Sequence, residues 1–194
     1  MKKKVKLKNG TDVTIRPMRK KDLDRSHTFF QNLPAEDREY LRVDVTKREI
    51  VKKRIRAMKS GKIKRLVSVV DDEIVAEGSL EMETNGWKGH IGELRLIVAS
   101  SLKRKGLGML MARELYFLAA SNKLEEVTVE MMRPQKAAQN IFKKLGFREE
   151  AILPDYVKDI SGKKQDLIVM VCDLKEMWQE LEDYLEVSDW QRTR

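Results

Sequence analysis

A short basic segment with two glycines is the part of the chain best suited to bind an anion. It reads Lys103-Arg104-Lys105-Gly106-Leu107-Gly108. Because glycine has no Cβ, Gly106 and Gly108 let the backbone take unusual φ angles and approach a ligand closely. A helix that begins here would leave backbone N–H groups of its first turn free, and its dipole would favour negative charge. The segment therefore predicts a phosphate-binding loop.

The hydrophobic pattern on either side of this loop predicts a strand, a helix and a second strand. In residues 90–98, apolar side chains alternate with Glu93 and Arg95. Residues 107–118 carry an apolar stripe at helical spacing, and residues 126–131 alternate again. A strand–helix–strand unit predicts that its two strands are parallel.

Two motifs at fixed spacing carry a resemblance to a known family. They are Lys103-x-x-Gly106-x-Gly108 and Ala138-x-x-x-Phe142-x-x-Leu145-Gly146-Phe147. They resemble the acyl-CoA motifs of the GNAT N-acetyltransferase superfamily, and the similarity extends over residues 11–174. Residues 11–42 also resemble the catalytic domain of bacterial and archaeal protein lysine acetyltransferases. A full Gly-x-Gly-x-x-Gly is not present, so the pattern does not indicate a dinucleotide-binding fold.

Three positions depart from the family pattern. Lys103 stands where Gln or Arg is usual and keeps a donor, and Gln135 stands where Asn is usual and keeps an amide. Phe142 replaces the Tyr that many members use as a general acid. We therefore expect water or another residue, with Tyr156 as a candidate, to protonate the leaving thiolate.

The resemblance implies a fold that mixes helices and strands, of the α/β (α+β) class. We expect one GNAT-like domain in residues 1–174, with a mixed, mostly antiparallel sheet whose central parallel strands splay apart between flanking helices. The last two strands are predicted around residues 151–154 and 167–171, with residues 156–162 as a loop between them. Residues 175–194 are predicted to add an acidic amphipathic helix, which is the candidate contact for a homodimer.

The resemblance also implies acetyl-CoA as co-substrate and suggests where it binds. The backbone of Leu96, Ile97 and Val98 would pair with the pantetheine arm, and Gln135 would reach the far side of that arm. A backbone N–H near Val98 would polarise the thioester carbonyl. The backbone N–H groups of residues 104–109 would hold the pyrophosphate. The residues expected in and around that loop are Lys103, Arg104, Lys105, Gly106, Leu107, Gly108 and Met109.

Two glutamates are candidates for the catalytic base. A lysine amine has a pKa of about 10.4, so it is almost wholly protonated at pH 7 and must lose a proton before it can attack a thioester. The resemblance places a catalytic Glu of protein lysine acetyltransferases at Glu93, and a base of other family members at Glu130. The alternative for Glu93 is an ion pair with Arg95. The alternative for Glu130 is an exposed position on the sheet surface.

Residues 46–60 predict a cationic amphipathic helix. Val51, Ile55 and Met58 form its apolar stripe. Its cations are Lys47, Arg48, Lys52, Lys53, Arg54, Arg56 and Lys59. This face is either simply solvated, or a wall beside the acceptor site, or a contact for nucleic acid or a membrane surface.

Composition narrows the class of protein. The chain has 194 residues, enough for one domain, and a formal net charge of +9, which suits polyanionic CoA, an acidic acceptor or nucleic acid. The apolar runs are shorter than the ~20 residues of a membrane span. The single cysteine, Cys172, cannot form an internal disulfide, so we expect a cytoplasmic protein. One cysteine and the two histidines His27 and His90 make no metal-ligand cluster, so we expect no metal site.

These observations favour an acetyl-CoA-dependent N-acetyltransferase acting on a primary amine of a protein, either a lysine or the N-terminus. One alternative is an acetyltransferase for small-molecule amines. Another is a non-catalytic acyl-CoA sensor or nucleic-acid-binding protein that uses the cationic helix.

Overall fold

The computed structural model describes residues 2–83 and 85–175, which form one eight-stranded sheet with helices on both faces. The strands are β1 (Lys3–Lys6), β2 (Asp12–Pro17), β3 (Ile63–Val70), β4 (Glu73–Met82), β5 (Ile91–Val98), β6 (Glu126–Met132), β7 (Arg148–Lys158) and β8 (Lys164–Asp173). The helices are α1 (Leu23–Gln31), α2 (Ala35–Arg38), α3 (Arg48–Ala57), α4 (Leu107–Ser121) and α5 (Lys136–Lys143). The predicted C-terminal helix lies outside the described residues, apart from its first position.

The strand order is β1-β2-β3-β4-β5-β6-β8-β7, and only β5 and β6 pair in parallel. Tight turns join the early strands. Gly10 takes a φ of +84° between β1 and β2, and Asp71 and Asp72 take φ of 45° and 70° between β3 and β4. Positive φ at both central residues is the mark of a type I′ hairpin turn. The predicted mixed, mostly antiparallel sheet is confirmed.

The parallel strands stay together for only three residues. Ile91–Glu93 of β5 pairs with residues 126–128 of β6, whereas β5 continues to Val98 and β6 to Met132. The helix α4 connects the two strands as the sequence predicts. The strands therefore diverge beyond Glu93, which confirms the predicted splay.

The sheet separates two apolar cores. On one face α4 packs so closely that a Cβ at Gly78 would lie 2.6 Å from Leu115 Cδ1. On the other face α1 and α3 cover β3 and β4, where Phe30, Val51 and Val67 are buried together. Because side chains alternate along a strand, the neighbours of Gly78 in β4 point toward α1 and α3.

Two sequence-based predictions are wrong in detail. The loop predicted at residues 156–162 begins later, because β7 continues to Lys158 and Val157 pairs with Gln165 of β8, so Tyr156 lies in a strand. Arg54 does not lie on a solvated face: its guanidinium carbon lies 4.7 Å from the centroid of the Phe30 ring, and its side chain is 25% exposed. No helix among the described residues is long and apolar enough to cross a membrane.

Candidate active site

The two candidate carboxylates lie on the same face of the sheet, where β5 and β6 diverge. A Cβ at Gly92 would lie 2.7 Å from Leu80 Cδ1 on the α4 side, so the next residue, Glu93, faces the other way. Glu130 likewise alternates with Val129, which is buried in the core beside α4. The side chains of Glu93 and Glu130 are 24% and 36% exposed. Both can therefore be reached from solvent.

A single arginine bridges these carboxylates. Arg42 Nη2 donates to Glu93 Oε1 at 2.5 Å and to Glu130 Oε2 at 2.8 Å. Arg42 lies in the connection between α2 and α3 and is distant in sequence from both partners. The sequence pattern gave this residue no role, so its position is a finding of the structure.

Glu93 also makes the ion pair with Arg95 that the sequence offers as the alternative to catalysis. Arg95 Nη2 lies 3.1 Å from Glu93 Oε2 and 3.1 Å from Glu81 Oε2. Glu81 stands directly across from Glu93 in the β4–β5 pairing, so the arginine separates two like charges. Burial acts to lower the pKa of Arg95, but the hydrogen bond and charge of Glu93, with Glu81, raise it overall.

More charges continue beneath α1 and α3. Arg65 Nη2 lies 3.6 Å from Glu81 Oε1, and burial lowers the pKa of Arg65 to about 10. Arg54 Nη2 lies 3.8 Å from Glu77 Oε2, and Ser26 donates to the same carboxylate. Burial raises the pKa of Glu77 and lowers that of Arg54. The buried pair of Arg54 and Glu77 thus lies apart from a linked row of alternating charges. That row runs to the exposed site through Arg65, Glu81, Arg95, Glu93, Arg42 and Glu130.

The free edge of β5 has backbone groups directed into the gap between the strands. The Ala99 N–H donates to the Val75 carbonyl at 2.8 Å, so odd-numbered residues of β5 direct their backbone groups at β4. Those of Leu96 and Val98 consequently point toward the gap, while those of Ile97 point toward β4. Beyond Glu93 this edge is free of β6 and can take an extended ligand as an added strand.

The predicted phosphate-binding loop has the geometry of an anion cradle. Gly106 caps α4 with a φ of +91°, and Arg104 has a φ of +61°. The first bond of the helix runs from the Leu110 N–H to the Gly106 carbonyl at 3.1 Å, which leaves the N–H groups of residues 107–109 to a ligand. Gly108 lies beside α5, since a Cβ there would be 2.9 Å from Ile141 Cδ1.

Two side chains expected at the cofactor have partners within the protein. Lys103 forms an ion pair with Asp37 of α2, which also accepts a hydrogen bond from Ser100. Gln135 Oε1 accepts from the Met132 N–H at 2.8 Å and so fixes the turn before α5. Their contact with the cofactor stays a prediction, and Asp37 is a residue that sequence reasoning missed.

No tyrosine hydroxyl stands at the position of the usual general acid. Phe142 is buried, with its ring centroid 5.1 Å from that of Phe147. Tyr156, the candidate from the sequence, lies on β7 and is 67% exposed. Tyr116 of α4 is buried in the core, which raises its pKa, and its hydroxyl has no hydrogen-bond partner among the described residues. Protonation of the leaving thiolate by water or by another residue therefore stays a prediction.

Residues 2–83 and 85–175 contain no group of three or more His, Cys, Asp or Glu residues placed to hold a metal ion. What the site offers instead is a splayed parallel strand pair, a helix start suited to phosphate and two carboxylates at the point of divergence. This combination is the one that the resemblance to acyl-CoA-dependent transferases predicts.

The chain belongs to the GNAT family of acetyltransferases, because the profile of the Acetyltransferase (GNAT) family matches residues 28–147. The protein is thus an enzyme of the N-acetyltransferase class, for which acetyl-CoA is the co-substrate implied by the family. No curated protein sequence matches the chain.

Solved structures of the family share the fold. A GNAT-family acetyltransferase from Streptococcus pneumoniae is 20% identical, with a TM-score of 0.72 over 83% of this chain and 98% of that one. Mycobacterium smegmatis RimJ in complex with CoA-disulfide is 19% identical, with a TM-score of 0.74 over 90% and 88% of the two chains. The GNAT domain of S. lividans PAT is 13% identical, with a TM-score of 0.70 over 89% and 96%. At these identities the likeness concerns the fold alone.

Proposed function

We propose that the protein transfers the acetyl group of acetyl-CoA to a primary amine of a protein, a lysine or the N-terminus, with Glu93 as general base. The observation that carries this proposal is the position of Glu93 and Glu130 beside the free edge of β5. An acyl arm added along Leu96 and Val98 would end near both carboxylates. Both reactants would then be held together, which supplies much of the rate enhancement.

In the proposed reaction Glu93 takes a proton from the bound ammonium group. The neutral nitrogen attacks the thioester carbonyl carbon, the C–N bond forms and the C–S bond breaks. A backbone N–H of β5 that is directed into the gap can stabilise the developing oxyanion. The nitrogen, which still carries one extra proton after the attack, releases it to solvent. The thiolate leaves and takes its proton from solvent. Glu93 is held in place by hydrogen bonds from Nε and Nη2 of Arg95.

The open position of the site supports an acceptor carried on a larger molecule. Glu93 and Glu130 are partly exposed, and α3, with its cations, covers the same face of the sheet. Structural neighbours include a ribosomal-protein-S5-alanine acetyltransferase from Vibrio fischeri and a spermidine N-acetyltransferase chimera from Vibrio cholerae. A small-molecule amine is therefore the second candidate acceptor.

A screen of amines, peptides and proteins with acetyl-CoA, followed by release of free thiol, tests the proposal. In the best acceptor's assay, Glu93→Gln is expected to lower kcat by about 10²–10⁴-fold, since general-base catalysis is lost. This deficit is expected to shrink as the pH rises toward the acceptor's own pKa. Glu130→Gln is expected to raise KM more than it lowers kcat.

The matched control is Glu126→Gln, on the same strand as Glu130 but at the start of its pairing with β5. It is expected to behave like the unmodified protein. If Glu130→Gln is the variant that abolishes turnover, the base is Glu130. If no amine stimulates thiol release, the proposed reaction is rejected, and the sensor or nucleic-acid alternative gains support.

A further inference from the structure

The contact of Arg42 with two carboxylates resembles the binding of an ammonium ion. A guanidinium has five donors in a planar fork and usually binds carboxylates through two nitrogens. Here one nitrogen, Nη2, takes both Glu93 and Glu130, at 2.5 Å and 2.8 Å. Within the described residues Nε and Nη1 of Arg42 make no hydrogen bond. The arginine therefore acts as a single charged nitrogen at the end of an alkyl stem.

We propose that Arg42 occupies the acceptor-amine site of the free protein, and that the acceptor binds there as an ammonium ion after displacing it. This inference rests on the proposed function, because it names the acceptor class of the same site. The acceptor nitrogen would take the place of Arg42 Nη2, between Glu93 of β5 and Glu130 of β6.

The charge balance of the site supports a monocationic acceptor. The row of side chains linked to Arg42 contains three guanidinium groups and three carboxylates. They are Arg42, Arg65 and Arg95, with Glu81, Glu93 and Glu130. Without Arg42 the row has one uncompensated negative charge. One ammonium ion bound in place of Arg42 restores the balance.

The position of Arg42 in the chain allows this exchange. The residue lies between α2 and α3, outside any helix or strand, and its side chain is 40% exposed. When Arg42 leaves, Glu93 stays paired with Arg95, and Glu130 is the carboxylate left for the charge of the acceptor. Displacement therefore breaks two charged contacts and no regular structure.

The stem of Arg42 also indicates the shape of the acceptor. An unbranched chain of about three methylene groups carries its charged nitrogen to the site. An unbranched alkylammonium, such as the side chain of a lysine or a linear alkylamine, has the same form. We infer this class of acceptor for the site.

The experiment measures binding of n-butylammonium chloride to the full-length protein without acetyl-CoA, by calorimetric titration. Arg42→Met keeps the alkyl stem and removes the charge. If Arg42 leaves the site free about one tenth of the time, its removal tightens the apparent affinity about tenfold. Arg42→Lys restores a competing charge and is expected to bind the probe less tightly than Arg42→Met. The affinity for neutral 1-butanol is expected to be the same in Arg42→Met as in the unmodified protein.

Two further variants complete the design. Arg48→Met removes another partly exposed arginine, paired with Asp24 at 2.6 Å, and is expected to bind the probe as the unmodified protein does. Adding Glu130→Gln to Arg42→Met is expected to abolish the increase in affinity for n-butylammonium. Thermal unfolding of each variant verifies that it is folded.

Unchanged or weaker n-butylammonium binding in folded Arg42→Met overturns the proposal, even if thiol release shows that the protein is an acetyltransferase. If Arg42→Met binds n-butylammonium more tightly but the protein acetylates no amine, the ammonium site is supported and the proposed transferase reaction is rejected. The two failures are thus distinguishable.

Discussion

Arg54 and Glu77 form an ion pair beneath α1, with Arg54 Nη2 3.8 Å from Glu77 Oε2. Glu77 is buried, and Arg54 has a buried Nη1 without a hydrogen-bond partner among the described residues. The ring of Phe30 lies against the guanidinium, at 4.7 Å from its carbon to the centroid. Each charge is tolerated because the other is present, so the pair couples α3 to β4.

Removing one partner is expected to be far more costly than removing both. Arg54→Met leaves the Glu77 carboxylate buried without its cation, and we expect a loss of roughly 3–5 kcal/mol in the free energy of unfolding. Urea denaturation measures it. The double variant Arg54→Met/Glu77→Gln is expected to recover much of the loss. The control Arg56→Met, on the same helix but exposed, is expected to stay within about 0.5 kcal/mol.

The left-handed conformation of Gly106 is expected to be necessary for acetyl-CoA binding. A β-branched residue is strained at its φ of +91°, so Gly106→Val should distort the loop that presents the N–H groups of α4. Acetyl-CoA should raise the melting temperature of the unmodified protein by mass action, and this rise should vanish in the variant.

Gly10→Val is the matched control for that experiment. Gly10 has a similar φ of +84°, with nothing within 4 Å of an added Cβ. Its strain should lower the melting temperature while leaving the acetyl-CoA-dependent rise intact. A rise that survives in Gly106→Val would place the binding loop elsewhere.

The exposed cations of α3 are expected to bind an acidic acceptor or a polyanion. They border a groove of about 220 Å³, lined by Lys20, Leu23, Lys52, Ile55, Arg56 and Lys59. Lys53→Glu/Arg56→Glu should weaken binding of a short fluorescent oligonucleotide or raise KM for an acidic protein acceptor. If both cations contact phosphates, the salt slope of oligonucleotide binding should fall by roughly two.

The control is Lys143→Glu/Lys144→Glu, which makes the same charge change at the end of α5. It should alter neither oligonucleotide binding nor the KM for an acidic protein acceptor. Unchanged binding and unchanged acceptor kinetics in the α3 variant would leave that face with solvation as its only role.

The turn between β7 and β8 is expected to lose stability in acid through Asp159. Its carboxylate accepts from the Ser161 hydroxyl, the Gln165 amide and the backbone N–H groups of Ser161 and Lys163, and these bonds lower its pKa to about 2. An unfolded chain has an aspartate pKa of about 3.9. The stabilisation is therefore complete above about pH 4 and is lost as the pH falls toward 2.

Asp159→Asn should consequently be less stable than the unmodified protein at neutral pH. The difference in urea midpoint should narrow between about pH 4 and pH 2. A constant difference across this range would mean that Asp159 stabilises the turn without titrating.

The sequence by itself determined the strand, loop and helix around residues 90–121 and their local geometry. The alternation before Glu93, the glycines at residues 106 and 108, and the apolar stripe of α4 are short-range patterns, and the strand, the loop and the helix follow from them directly. The parallel pairing of β5 and β6 follows from the strand–helix–strand order. The positive φ of Gly10 and Gly106 is likewise a local feature, which the presence of glycine at these positions indicates.

Only the tertiary structure decided which charges meet. Arg42 is separated by 51 residues from Glu93 and by 88 from Glu130, and no pattern over a few residues fixes such contacts. The same holds for Lys103 and Asp37, and for Arg54, which helical spacing alone would place on a solvated face. Which cation is buried depends on the carboxylate that a neighbouring strand presents. Because the pairing of charges follows strand order and helix placement, the occupant of the candidate acceptor site became visible only in the folded chain.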